Sequence, residues 1–158
     1  IRWRLSGVHR AEEVDHLMQV RAGVEPIAAR LCATTAPPGV GPRLRELADQ
    51  MHALGTAGRG ITPEFLRADV EFHRLVVTSS GNDHMAAFST VLTTLLTERN
   101  RLGMLGAFPD PRAMAAHVAM AEAITNRQPT PAEHACRSLV HVVHAEVLAP
   151  SRPVARTG

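Results

Sequence analysis

Apolar residues recur along this chain about every 3.6 positions, and the polar breaks between them have the chemistry of helix ends. Val14, Leu17, Met18, Val24, Ile27, Ala28 and Leu31 line a first predicted helix over roughly residues 11–35. Leu44, Leu47, Ala48, Met51 and Leu54 line a second over roughly 40–55, and Phe65, Phe72, Leu75 and Val76 a third over roughly 63–80. Further helices are expected over about 83–102, 111–126 and 131–148. Pro26 falls inside the first pattern and should kink or split that helix. No alternating run is long enough for a strand. The pattern predicts an all-α antiparallel bundle of about six or seven helices with short connections.

The helix starts are marked most clearly. Thr62-Pro63, Asp110-Pro111 and Thr130-Pro131 each set an N-capping side chain before a proline at the first helical position, where a missing N–H costs nothing. Thr130 and Glu133 also have the spacing of a capping box. Gly81 is the expected left-handed stop of the third helix, and Asn82 the cap of the next. The last residues, from 150 to 158, carry Pro, Arg and Gly and are expected to be a disordered tail.

Composition narrows the function classes. At 158 residues, 45% hydrophobic and 20% charged, the chain fits one globular domain. The net charge is +2, Lys is absent, and Arg is scattered without a run of three, so no basic stripe for nucleic acid is present. Aromatic residues make up 3%, too few for a base-stacking platform. Cys32 and Cys136 form no CxxC, which points to a reducing compartment. Without an apolar run of about 18–20 residues or a signal-peptide shape, a cytoplasmic location without membrane insertion is expected. The chain starts with Ile, as a fragment or processed product would.

The candidate chemistry lies in four residues. Asp69 and His73 are one turn apart on the third predicted helix and so project from one face. His117 on the fifth helix and His141 on the sixth could close them into a divalent-metal site. His141 ranks ahead of His134 and His144 because it lies deepest in an apolar stretch, among Leu139, Val140, Val142 and Val143. Three imidazoles and a carboxylate suit zinc, nickel, manganese or iron, and spacing does not choose among them. A six-coordinate ion would keep two positions for a small anion, whereas tetrahedral zinc would be structural. With nine histidines in the chain, the same residues could instead be hydrogen-bonded core or surface groups. No nucleophile elbow, GxGxxG or phosphate loop is present.

The segment Val20-Arg21-Ala22-Gly23-Val24-Glu25-Pro26-Ile27-Ala28-Ala29-Arg30-Leu31 resembles the opening helix of the FCD effector domain, the C-terminal half of FadR-subfamily regulators in the GntR family. Asp69-Val70-Glu71-Phe72-His73 is similar to the family's D-x-x-x-H pattern. Ser80-Gly81-Asn82 and the run from His117 to Ala123-Ile124 continue the likeness, which covers about residues 11–148. Two departures stand out. The family's last histidine falls about 22 residues after the previous one, and here His141 lies slightly further on, as two extra residues in the Arg127–Pro131 turn would explain; His144 is a rival. The family's N-terminal winged helix-turn-helix is also missing, and residues 1–10 would be the linker from it.

The resemblance implies a bundle with a central cavity for a metal or ligand, serving as the ligand-sensing, metal-binding and dimerisation domain of a transcription regulator. Asp69, His73, His117 and His141 would hold the ion, most readily zinc. A small carboxylate effector would bind beside it, with Arg21, Arg99, Arg101 and Asn82 as candidate contacts. The partner expectations are a homodimer, and DNA only through the missing domain. The rival expectations are a metalloenzyme acting on a small organic acid, for which no general base is readable beside the ligands and only Glu71 and Glu122 stay open, and a purely structural helical module.

Overall fold

The computed structural model describes residues 10–149, and the expected linker and tail lie largely outside that range. Among the described residues there are seven helices and no strand. They are α1 (Arg10–Thr35), α2 (Val40–Thr56), α3 (Pro63–Thr78), α4 (Asp83–Ala87), α5 (Ser89–Arg101), α6 (Pro111–Thr125) and α7 (Pro129–Leu148). Helix α7 packs most extensively against α1 and α6. Helix α3 is held between α2 and α5, and α2 closes onto α6. The core is one cluster that draws on α1, α2, α3, α5, α6 and α7.

Several local signals act as the sequence suggests. Thr62 caps α3 by accepting a hydrogen bond from the Phe65 amide, and Asp110 caps α6 by accepting one from the Arg112 amide. Gly81 has φ +70, the left-handed conformation that ends a helix, and a Cβ there would press on the Thr35 side chain. The hydroxyl of Thr35 donates to the Ser79 carbonyl at 3.0 Å and so ties α1 to the end of α3.

Three expectations are corrected. The helix expected over 83–102 is two, α4 and α5, joined at Phe88, whose amide reaches back only three residues to the Met85 carbonyl at 3.0 Å. Helix α1 is not split at Pro26, which lies inside it. Helix α7 starts at Pro129 instead of Pro131, with Gln128 before it making no side-chain cap. Pro129 takes the first helical position, so Thr130 lies inside the first turn and its capping box with Glu133 does not form. Glu133 instead accepts from Arg30 of α1 at 3.1 Å and from Arg137 at 2.8 Å.

The buried stripe of α1 also differs in phase from the expected one. It runs through Val14, Met18, Arg21, Glu25, Ala28 and Cys32, alternating steps of four and three, and so carries two charged residues into the core. Ile27, expected inside, is 45% exposed, and Val20 is 47% exposed. With the half-buried Leu17, Val24 and Leu31 they form a second, outward apolar stripe on the same helix.

Candidate metal and effector site

Helix α3 buries a stripe made of Phe65, Ala68, Asp69, Phe72, His73, Val76 and Val77, spaced three and four apart. Asp69 and His73 are one turn apart within it, so neither can reach water and each must find partners in the protein. Helix α6 brings His117 to the same place, also buried. The ring of Phe72 meets the His117 ring edge-on at 4.9 Å between centroids and the His73 ring at 5.5 Å, which restricts both imidazoles. One ligand atom from each of Asp69, His73 and His117 lies within 4.8 Å of the others.

The hydrogen bonds determine which nitrogens face the centre. His117 Nδ1 is 2.8 Å from the Ala113 carbonyl, which can only accept, so Nδ1 carries the proton and Nε2 presents a lone pair. That Nε2 is buried without a hydrogen-bond partner and lies 3.6 Å from Asp69 Oδ1. Burial, the largest influence on His117, lowers its pKa and favours the neutral ring. Two lone pairs therefore face one another in a buried pocket, an arrangement that a cation between them would stabilise.

His73 is held from both sides. Its Nδ1 is 2.5 Å from Glu25 Oε2, and its Nε2 is 2.8 Å from Arg21 Nη2 and 3.4 Å from Asp69 Oδ1. A neutral ring satisfies both hydrogen bonds, with Nδ1–H donating to Glu25 and Nε2 accepting from Arg21. Burial, the largest single influence, opposes the charged ring, but the Glu25 and Asp69 carboxylates together raise the His73 pKa. The Arg21 contact nevertheless requires the neutral ring, since a protonated Nε2 would oppose two donors. A carboxylate on the far nitrogen is also what orients a metal-ligating histidine.

Arginines complete the site. Arg21 and Glu25, one turn apart on α1, form a fully buried ion pair. Burial pushes the Glu25 carboxyl up, but Arg21 and then His73 prevail and hold it at about 2. Arg99 of α5 donates to Asp69 Oδ2 at 2.7 Å and holds that carboxyl well below its ordinary value, against the opposing effect of burial. Arg21 Nη1 and Arg99 Nε have no hydrogen-bond partner. Both residues line a cavity whose other walls include Phe65, Leu105, Met114, Leu139 and Glu146. Its volume is about 20 Å³, where one water needs roughly 10–15 Å³.

Of the residues proposed from sequence, Asp69, His73, His117, Arg21 and Arg99 come together here. His141 does not: it is exposed and lines a separate surface groove with Ala22, Arg137, Val140 and His144. Helix α7 turns Ala132, Cys136, Leu139, Val140 and Val143 inward. His141, about 200° around the helix from Leu139, points away. No extra residues shift the register, because Pro129 and Thr130 are already helical. Leu139, 22 positions after His117, faces the cavity instead. His144 is no substitute, since its Nε2 is 2.6 Å from Asp15 Oδ1.

Arg101 is exposed and pairs with Glu98, and Asn82 caps α4 by accepting from the His84 and Met85 amides. Neither lines the cavity. Glu25 and Glu146 had been given no role from sequence. Glu25 was detectable as half of a charged pair at i, i+4 on a stripe of small and apolar residues. Glu146 left no such signal; its Oε1 accepts from the Asp110 amide at 3.1 Å.

The chain resembles known proteins in fold and in sequence pattern. A solved structure of Streptococcus agalactiae GntR matches it with a TM-score of 0.72 at 23% identity, covering 90% of this chain and 62% of that one. At that identity the likeness shows the fold, and the chain spans somewhat less than two thirds of that protein's length. Among curated protein sequences no match was found. The sequence pattern of the FCD domain matches residues 16–142, which include Arg21, Glu25, Asp69, His73, Arg99 and His117, and the chain belongs to the FCD domain family.

Proposed function

We propose that this FCD domain is the ligand-sensing part of a GntR-type transcription regulator of the FadR subfamily, in which Asp69, His73 and His117 hold a divalent ion. The observation that carries the reading is the unpartnered Nε2 of His117, buried and turned toward Asp69 Oδ1. Two imidazoles and one carboxylate, with Glu25 behind His73 and the Ala113 carbonyl behind His117, suit zinc, with nickel, manganese and iron as alternatives. A bound ion supplies a Lewis-acid anchor for a carboxylate, and three protein ligands keep positions available for it.

The protein's own residues shape the sensing. Arg21 and Arg99 bring guanidinium donors to the cavity wall, suited to a small carboxylate effector. A cavity of about 20 Å³ admits an ion or a water but no organic acid. Effector binding therefore requires the walls from α1, α5, α6 and α7 to move apart. A ligand that fits only the widened arrangement shifts the domain toward it, which is what a sensor needs. The outward stripe of α1, with Val20 and Ile27 exposed, gives a homodimer an apolar surface. DNA contact belongs to an N-terminal module outside this chain. Among the described residues no helix is long and apolar enough to cross a membrane, consistent with a cytoplasmic regulator.

A sensor is favoured over an enzyme by the position of the candidate bases. Glu71 accepts from Arg43 and Glu122 from Arg45, both in exposed pairs outside the cavity.

Metal analysis of untagged protein purified without chelator tests the reading. About one ion per chain is expected, lost in His117→Ala and kept in His141→Ala, with a lower melting temperature after chelation. Unchanged metal content in His117→Ala would place the centre elsewhere.

A further inference from the structure

The buried charges at the site are arranged in a way that the metal reading alone does not explain. His73 has one lone pair to offer an ion, on Nε2, because Nδ1 is engaged by Glu25. That lone pair already receives a hydrogen bond from Arg21 Nη2 at 2.8 Å. Arg21 is fully buried, its Nε is paired with Glu25, and its Nη1 has no partner. On the opposite side Arg99 Nη2 occupies Asp69 Oδ2, and Arg99 Nε has no partner. Arg21 therefore stands on a nitrogen that an ion would use, Arg99 holds the other oxygen of the ligand carboxylate, and each guanidinium keeps one nitrogen unsatisfied.

Charge counting gives the consequence. Arg21 and Arg99 contribute two positive charges, and Glu25 and Asp69 two negative ones, so with neutral imidazoles these six residues sum to zero. A divalent ion would add two uncompensated positive charges to a pocket otherwise walled by Phe65, Leu105, Met114, Leu139 and Val143. Burying such a charge is costly unless it is paired. The remaining acid in the wall, half-buried Glu146, accepts from the Asp110 amide and can offset at most one of the two charges.

We infer that Arg21 is a built-in competitor for the ion at His73 Nε2, and that once displaced it becomes a donor to a carboxylate, so that ion and anion bind as a coupled pair. This rests on the metal-site reading and adds its regulation: the domain would take up its ion tightly only together with an anionic effector. The ion displaces the guanidinium from the imidazole, and the anion then gives the freed N–H groups an acceptor and balances the charge. Either ligand alone leaves part of this unmet.

Titration of the metal-stripped full chain with Co2+, followed by ligand-field absorption with and without acetate, tests the coupling. In the wild type, acetate should tighten Co2+ binding by about tenfold. In Arg21→Gln, Co2+ should bind about tenfold tighter than wild type without acetate, and acetate should add little. A merely structural Arg21, needed to hold Glu25 and His73 in place, predicts the reverse, a weaker site in the variant. Should Arg21→Gln fail to fold, Arg21→Lys keeps a cation beside Glu25 and removes the second nitrogen that reaches His73, with the same direction expected. Wild-type Co2+ affinity indifferent to acetate overturns the inference whichever variant folds. No Co2+ uptake dependent on His117 would instead sink the metal reading itself.

Discussion

Helices α3 and α7 are built from similar materials and end in different roles. Each has a Thr-Pro pair in or before its first turn, and each carries histidine within an apolar stretch. In α3 the Thr is the cap, and Asp69 and His73 fall on the buried stripe. In α7 Pro129 displaces the Thr from the cap, and His134 and His141 are exposed while His144 pairs with Asp15 near the surface. What separates them is phase. His73 in α3 is four residues from Asp69 and eight from Phe65, in step with the core, whereas His141 is out of step with Cys136, Leu139 and Val143. Apolar neighbours in the sequence do not bury a residue. Neighbours three, four and seven positions away do.

The comparison can be broken most severely on the α3 side. Asp69→Ala removes the partner of buried Arg99 and leaves a positive charge in the core, a loss expected to cost about 3–5 kcal/mol by denaturant unfolding of the metal-free protein. A cost below about 1 kcal/mol would mean that the pair is not dry.

Acid provides the next largest effect. In metal-free protein Glu25 is held at about 2, against 4.5 in the unfolded chain. A carboxyl whose folded value is depressed stabilises the fold fully above the unfolded value and ceases to do so as the pH falls toward the folded one. Stability should therefore drop by on the order of 3 kcal/mol between about pH 4.5 and pH 2. Glu25→Gln should flatten the acid limb and lower stability at neutral pH, because Arg21 loses its partner. An acid limb unchanged in that variant would assign the effect to other carboxyls.

On the α7 side the inward residue is Leu139, fully buried on the cavity wall. Leu139→Ala is expected to cost about 2 kcal/mol, at the low end for a buried leucine because one side of it faces space and not packed atoms. Equal costs for Leu139→Ala and His141→Ala would mean that the phase assigned to α7 is wrong.

Much of this was legible in sequence where signals were local. The Asp69–His73 spacing, the Thr62 and Asp110 caps and the Gly81 stop all depend on residues within one turn of each other. The break at Phe88 was not legible, since no Pro or Gly marks it. The stripe of α1 was misread because apolar residues occupy two faces of that helix. One is buried and interrupted by Arg21 and Glu25; the other, through Val20 and Ile27, is open. Choosing between them requires knowing that α7 lies against the first, a long-range fact. His141 failed for the same reason: hydropathy ranked it, and only packing against α1 and α6 fixes the rotation of α7.

The smallest effects test the helix starts, where the two helices look most alike in sequence. Thr62 Oγ1 accepts from the Phe65 amide at 3.4 Å and also donates to the Arg59 carbonyl at 2.8 Å. Thr62→Ala removes both bonds and should cost about 1 kcal/mol. Thr130, exposed within the first turn of α7, makes no cap, and Thr130→Ala should change stability by less than about 0.5 kcal/mol. If Thr130→Ala also costs about 1 kcal/mol, then α7 begins two residues later in solution. The Pro131 start would then be correct, and the Arg30–Glu133 bond would have to give way to a capping box. Paired denaturant titrations of the two variants resolve such a difference, because equal slopes with shifted midpoints report stability alone.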